Sequence, residues 1–119
     1  MHSANKLSQA EASGASGNKV TILRYSGDIS SASRDTVLGT YASLDASIHK
    51  YLLLDFARVD YLNSSGIALV IQLLMEAGKA GQRVAICGLT PHFTKVFTMV
   101  GIAKYATLSQ DETSALAKF

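Results

Sequence analysis

The sequence predicts one α/β sandwich built on a mostly parallel sheet. From Lys19 onward, strand-like and helix-like segments alternate in the order β-α-β-α-β-α-β-α. One strand candidate, Tyr51-Leu52-Leu53-Leu54-Asp55-Phe56, is an apolar run broken by a single carboxylate, the pattern of a strand covered on both faces. With 119 residues, 48% hydrophobic and 17% charged, the chain is one globular domain that can bury a core without a metal or disulfide staple.

Residues 1–18 contain four serines, four alanines and two glycines, with Leu7 the only large aliphatic side chain. Burial of so little apolar surface cannot offset ordering entropy, so the segment reads as a flexible tail or a frayed first strand. The domain is expected over residues 19–119. Val20, Ile22, Leu23 and Tyr25 mark a strand that ends at Ser26-Gly27-Asp28. Ser30-Ser31-Ala32-Ser33 then offers helix caps, and Val37, Leu38, Tyr41, Leu44 and Ile48 recur at helical spacing, predicting a helix over about 31–48 weakened by Gly39.

After the apolar strand, Val59-Asp60-Tyr61-Leu62 reads as a connection and Asn63-Ser64-Ser65-Gly66 as a turn and cap. A long helix is predicted over about 65–79, with Ile67, Val70, Ile71, Leu74 and Met75 as its core stripe. Arg83-Val84-Ala85-Ile86-Cys87 is the next strand. Thr90-Pro91 opens a helix faced by Phe93, Val96, Phe97 and Val100, with Gly101 at its C′ position. Tyr105-Ala106-Thr107-Leu108 could add a short strand, and Ser109-Gln110-Asp111-Glu112 reads as a capping box for a last short helix.

Composition excludes several functions. Eleven basic and nine acidic residues are too balanced and scattered for a nucleic-acid surface. No apolar run reaches transmembrane length, so direct membrane insertion is not expected. The opening Met1-His2-Ser3-Ala4-Asn5-Lys6 lacks a secretory h-region, and the single cysteine suits a reducing compartment, so a cytoplasmic location is expected. The serines do not form a G-x-S-x-G elbow, and neither a Walker A loop nor G-x-G-x-x-G is present. His2, His49 and His92 lack metal-ligand spacing; His92 reads as solvent-exposed, His49 as a helix-end residue and Cys87 as a small buried filler. No enzymatic activity, metal or cofactor is expected.

The informative segment is Asn63-Ser64-Ser65-Gly66 at the start of the long helix. Unpaired N–H groups and the positive dipole end favour an anion there. A phosphate on a serine at that point adds about −1.5 to −2 charge that the helix end tolerates. Either the serines only cap the helix or one of them accepts phosphate; local sequence leaves both open. Leu69 and Leu73 fall opposite the assigned core stripe, one turn apart, so they form either a contact row or a strip covered by a loop or the tail.

Four pieces in order carry a family resemblance over Lys19 to Leu116: the strand Val20–Ile29 with its Ser26-Gly27-Asp28 end, Leu52-Leu53-Leu54-Asp55-Phe56, Tyr61-Leu62-Asn63-Ser64-Ser65-Gly66-Ile67, and Val96-Phe97-Thr98-Met99-Val100-Gly101-Ile102. Together they resemble the STAS domain, and specifically the bacterial anti-sigma factor antagonists. The resemblance implies a four- or five-stranded mixed sheet with about four helices. It implies a regulatory module that binds an anti-sigma factor with serine-kinase activity and is released when that partner phosphorylates it; a serine phosphatase is a possible further partner.

The family motif is Asp-Ser-Ser/Thr-Gly, which carries the acceptor to Ser64, with Ser65 as second choice and Gly66 allowing close approach of the partner. Asp28, Ser30, Asn63, Ser64, Ser65, Gly66, Leu69 and Leu73 are the expected partner-binding residues. The chain departs from the family where Asn63 and Ser30 stand in place of aspartates. The alternative is a STAS scaffold subunit of a signalling or lipid-transport complex that acts without phosphorylation.

Overall fold

The computed structural model describes residues 4–119. Five strands, β1 (Lys6–Ser13), β2 (Lys19–Ile29), β3 (Tyr51–Leu62), β4 (Arg83–Cys87) and β5 (Thr107–Ser109), form one sheet in the order β1-β2-β3-β4-β5. β1 runs antiparallel to β2, and every other pair is parallel. Helices α1 (Thr40–Ala42), α2 (Ser64–Lys79), α3 (Pro91–Met99) and α4 (Glu112–Leu116) complete the expected mixed α/β architecture.

Strand alternation divides the buried side chains between two faces. Leu23, Tyr25, Leu52, Leu54, Phe56, Val84 and Ile86 meet α2, α3 and the segment around Val37. Val20, Ile22, Leu53, Ala85 and Cys87 meet α4 and the C-terminal Phe119. Cys87 is buried, as its place on a doubly covered strand requires.

The Ser/Ala/Gly-rich start is strand rather than loose tail: Lys6 pairs with Ser26 and the ladder runs to Ser13 opposite Lys19. An antiparallel edge strand needs little apolar surface of its own, because its backbone groups bond to β2 and small side chains suffice on a half-covered face. Ala10 and Ala12 join the α4-side cluster, Leu7 the other. The following turn is also held. Asn18 Nδ2 donates to the Phe119 carbonyl at 2.8 Å, and a Cβ on Gly14 would come within 2.6 Å of the Phe119 Cβ.

Three further elements differ from expectation. The predicted helix over 31–48 is a 3-10 turn (Ser31–Ser33), a π-helical turn (Asp35–Gly39) and the single turn α1, followed by non-helical chain in which Ile48 is 64% exposed. Serine side chains that bond locally and a glycine in the middle favour turns over a regular helix. β3 continues through the supposed connection to Leu62, paired there with β2 alone. The cap of α4 is Asp111, whose carboxylate accepts from the Ser114 N–H at 2.8 Å, so the capping box on Ser109 does not form.

The long helix starts as expected, but its phase is different. Its buried residues are Gly66, Leu69, Val70, Leu73, Leu74 and Ala77, whereas Ile67 and Ile71 are half-buried and Met75 is 45% exposed. Leu69 is 5% and Leu73 0% exposed, so the expected contact row is core and not surface. The stripe has the predicted 3.6-residue period, but it begins at Gly66, which hydropathy alone does not mark as a core position.

α4 is pinned to the sheet by charge. Arg24 donates from Nε and Nη2 to the two Glu112 carboxylate oxygens at 2.7 and 2.9 Å. Hydrogen bonding to Arg24, then to Asp55, pulls the Glu112 carboxyl down to about 2. Asp55 moves the other way: burial first, then Glu112, raises its pKa.

Two predictions follow from this packing. Leu73→Ala should lower unfolding free energy by about 2–5 kcal/mol, measured by urea titration, because it opens a cavity in the α2 core; an exposed Leu73 would lose almost none. Glu112 is held below its unfolded value, so its contribution is complete above about pH 4.5 and is lost as pH falls toward 2. Glu112→Gln should therefore flatten the acid limb of melting temperature against pH in that window. The effect should be modest, because the Arg24 side chain is 45% exposed.

Candidate functional site

The parallel strands β2 and β3 end side by side at Ile29 and Leu62, and the chain turns from β3 directly into α2. Asn63 is the cap: its backbone is extended, its Oδ1 accepts from the Gly66 N–H at 2.8 Å, and its own N–H donates to the Ile29 carbonyl at 3.3 Å. A short polar cap satisfies one orphan donor of the first turn and leaves others facing solvent. Ser64 and Ser65 are the next two residues, and both are exposed on that first turn.

Gly66 closes the contact. A Cβ there would stand 2.2 Å from the Ile29 carbonyl oxygen and 2.7 Å from its carbon. This glycine is buried, so what it allows is the approach of α2 to the end of β2 within the chain, and not the approach of a partner. Its position places Ser64 and Ser65 outward, because residues one and two positions earlier on the helix lie about 100° and 200° away from it.

The loop after β2 forms the second wall. Ser30 caps the 3-10 turn: its Oγ accepts from Ala32 N–H at 3.3 Å, while its N–H donates to Ser33 Oγ at 3.0 Å. The Ser33 hydroxyl in turn donates to the Asp28 carbonyl at 3.4 Å. Asp28, Ser30 and Asn63 line one depression of about 590 Å³ together with Ala4, Asn5 and Tyr61. Six of the eight sequence-selected residues therefore gather at the C-terminal ends of β2 and β3. Leu69 and Leu73 do not; they lie under the helix.

Sequence reasoning missed Tyr61 and the β1-flanking Ala4 and Asn5. Tyr61 is 51% exposed beside buried Leu62, an in-out alternation that becomes visible once β3 is read through to its end. Asn5 reaches the site only because β1 pairs with β2, where its Nδ2 donates to the Ser26 carbonyl at 3.2 Å.

Among the described residues that line the depression, Asp28 is the one that carries a formal charge at neutral pH. Strongly perturbed groups lie elsewhere: burial raises the Tyr25 phenol, and in the Arg24, Asp55, Glu112 and Cys87 cluster burial, followed by the Asp55 and Glu112 charges, pushes the Cys87 thiol up to about 12. The two other histidine expectations divide: His92 is exposed, but half-buried His49 sits beyond any helix with Nδ1 2.8 Å from Thr21 Oγ1. Among the described residues, no three His, Cys, Asp or Glu side chains converge as a metal site, and no helix is long and apolar enough to cross a membrane.

The profile described as "Mlab, STAS domain" covers residues 13–110. The chain belongs to the STAS domain family. BtrV of Bordetella bronchiseptica, named as an anti-sigma factor antagonist, is 24% identical over 93 residues, spanning 78% of this chain and 80% of BtrV. An anti-sigma factor antagonist from Mycobacterium paratuberculosis has the same fold, with a TM-score of 0.78 at 17% identity over 97% of this chain and 93% of that one. The phosphorylated Bacillus cell-fate determinant SpoIIAA superposes with a TM-score of 0.69 at 16% identity, over 95% and 98% of the two chains.

The tight STAS helix start makes a direct prediction. Gly66→Ala should destabilise the domain by about 3 kcal/mol, at the upper end of overpacking costs, because the obstacle is backbone carbonyl and cannot rotate away. Thermal melting of the variant checks this; a melting temperature equal to wild type would show that the helix start can shift freely.

Proposed function

We propose that this STAS domain is an anti-sigma factor antagonist that binds an anti-sigma serine kinase when unmodified and is released by phosphorylation of Ser64. The carrying observation is the exposed Ser64 at the first position of α2, beside a nearly uncharged depression. A phosphate there gains from the helix dipole and from first-turn N–H groups, so the fold tolerates it. The surface nevertheless changes from near neutral to strongly anionic, which repels or desolvates a partner fitted to the neutral form. Sequence similarity to BtrV, together with the fold shared with antagonists, supports this reading.

Asn63 sharpens the mechanism. It caps the helix through the same Oδ1 hydrogen bond that an aspartate would make, but without a charge next to the incoming phosphate. The unmodified site of this chain therefore carries less negative charge than the family pattern, and phosphorylation supplies nearly all of the charge change. The neutral cap also motivates the second reading, a STAS scaffold subunit working without phosphorylation.

The two readings separate in one experiment. The chain is incubated with the anti-sigma kinase of its own organism and ATP, and intact mass is recorded. Wild type should gain one phosphate, and Ser64→Ala none. Ser64→Glu should weaken kinase binding at least tenfold, about 1.4 kcal/mol. Equal phosphate uptake by Ser64→Ala overturns the acceptor assignment. No uptake by wild type, with co-purification of a transport ATPase instead, favours the scaffold.

A further inference from the structure

The α4 side of the sheet carries a second concavity of about 540 Å³, on the face opposite α2. The rows across β1, β2 and β3 change character along the strands. Ala12–Val20–Tyr51 and Ala10–Ile22–Leu53 are apolar and lie under α4 and Phe119. The next rows are Ser8–Arg24–Asp55 and Lys6–Ser26–Arg58, and these line the concavity.

The upper row exists because of a bulge. Between the Arg24–Asp55 and Ser26–Arg58 pairs, β2 advances two residues and β3 three. The extra residue puts Arg58 level with Ser26, where a regular ladder would put Ala57. Bulges of this kind re-aim side chains and recur beside functional sites. Asp55 Oδ1 accepts from the Ala57 N–H at 2.9 Å and so holds the bulge. Gly88 gives it room: a Cβ there would lie 2.5 Å from Ala57 N and 2.8 Å from Asp55 Oδ1.

The charges do not cancel. Lys6, Arg24 and Arg58 face Asp55 and Glu112. Glu112 occupies Nε and Nη2 of Arg24 and leaves Nη1. Among the described residues, Lys6 and Arg58 have no ion-pair partner. They flank Ser26 from two strands apart, roughly 10 Å at about 4.8 Å per strand, a span that two long side chains can close around one ligand. The surplus is positive whether or not Asp55 is ionised.

From this placement we infer that the concavity is a binding site for a small phosphate-bearing molecule, held by Lys6 and Arg58 with the Ser8 and Ser26 hydroxyls. A phosphate group offers three acceptor oxygens to a grid of cations and hydroxyls. Its volume of about 540 Å³ exceeds one inorganic ion, which leaves room for the body of a phosphate ester. The site is separate from the depression beside Ser64, because the two share no lining residue.

Amide chemical shifts of the full chain, titrated with glycerol phosphate, with inorganic phosphate and with sodium chloride at matched ionic strength, test this. Saturable shifts should centre on Ser8, Ser26 and Arg58, be tighter for the ester, and be absent with chloride. Arg58→Gln and Lys6→Gln should each weaken binding about tenfold, the effect of one charge-assisted hydrogen bond. Both side chains are exposed, so melting temperature should stay near wild type; if one variant unfolds, the other carries the test. Shifts matching the chloride control, shifts centred on Ser64 to Gly66, tighter binding of inorganic phosphate than of the ester, or unchanged affinity in a folded variant would each overturn the proposal.

Discussion

The contact between Gly66 and the Ile29 carbonyl sets the geometry of this domain. A helix can rest on the end of a neighbouring strand at that distance only where it has no Cβ. With Asn63 bonded to the same carbonyl, the first turn of α2 is anchored at two points to the last residue of β2. Helical periodicity then dictates the rest: Leu69, Val70, Leu73, Leu74 and Ala77 fall beneath the helix, and Ser64 and Ser65 fall outside it. The site and the core are consequences of one packing constraint.

A second organising feature is the unequal cover of the sheet. The face under α2 and α3 is apolar across β2, β3 and β4 apart from Thr21, and the Tyr25–Phe56 and Phe56–Phe97 edge-to-face pairs close it. The opposite face is apolar only where the short α4 and Phe119 reach it. Beyond them the strands turn polar, and the Arg24–Glu112 pair marks the boundary. The proposed switch thus occupies the ends of the strands, and the charged concavity occupies an uncovered stretch of their face. The proposed phosphorylation of Ser64 would leave both cores intact, because Ser64 is exposed on the first turn of α2.

Much of this was legible in the residues. The β4 strand has the predicted bounds, α2 and α3 start at their predicted caps, and the doubly covered β3 run is buried as its composition requires. The misreadings share a cause. β1 has too little apolar surface to announce itself, since a strand whose partner supplies the ladder needs none. Large aliphatic side chains set the predicted phase of α2, and Gly66 has no side chain to count. That phase puts Leu69 and Leu73 opposite the core stripe, whereas the same 3.6-residue template started one residue earlier, at Gly66, places them in the core. Tyr61 was hidden because two register shifts in β3 break the simple alternation.

By itself, the sequence determined the α/β class, the location of the serine pair at a helix start, and the neutral character of its cap. Those depend on local pattern, capping chemistry and residue type, all of which act over a few neighbours. Only the tertiary structure decided which side of α2 is buried, that Lys6–Ser13 completes the sheet, and that Lys6, Arg24 and Arg58 line one concavity across three strands. Those depend on contacts between residues far apart in the chain, where a missing Cβ or one extra residue in a strand redirects every side chain that follows.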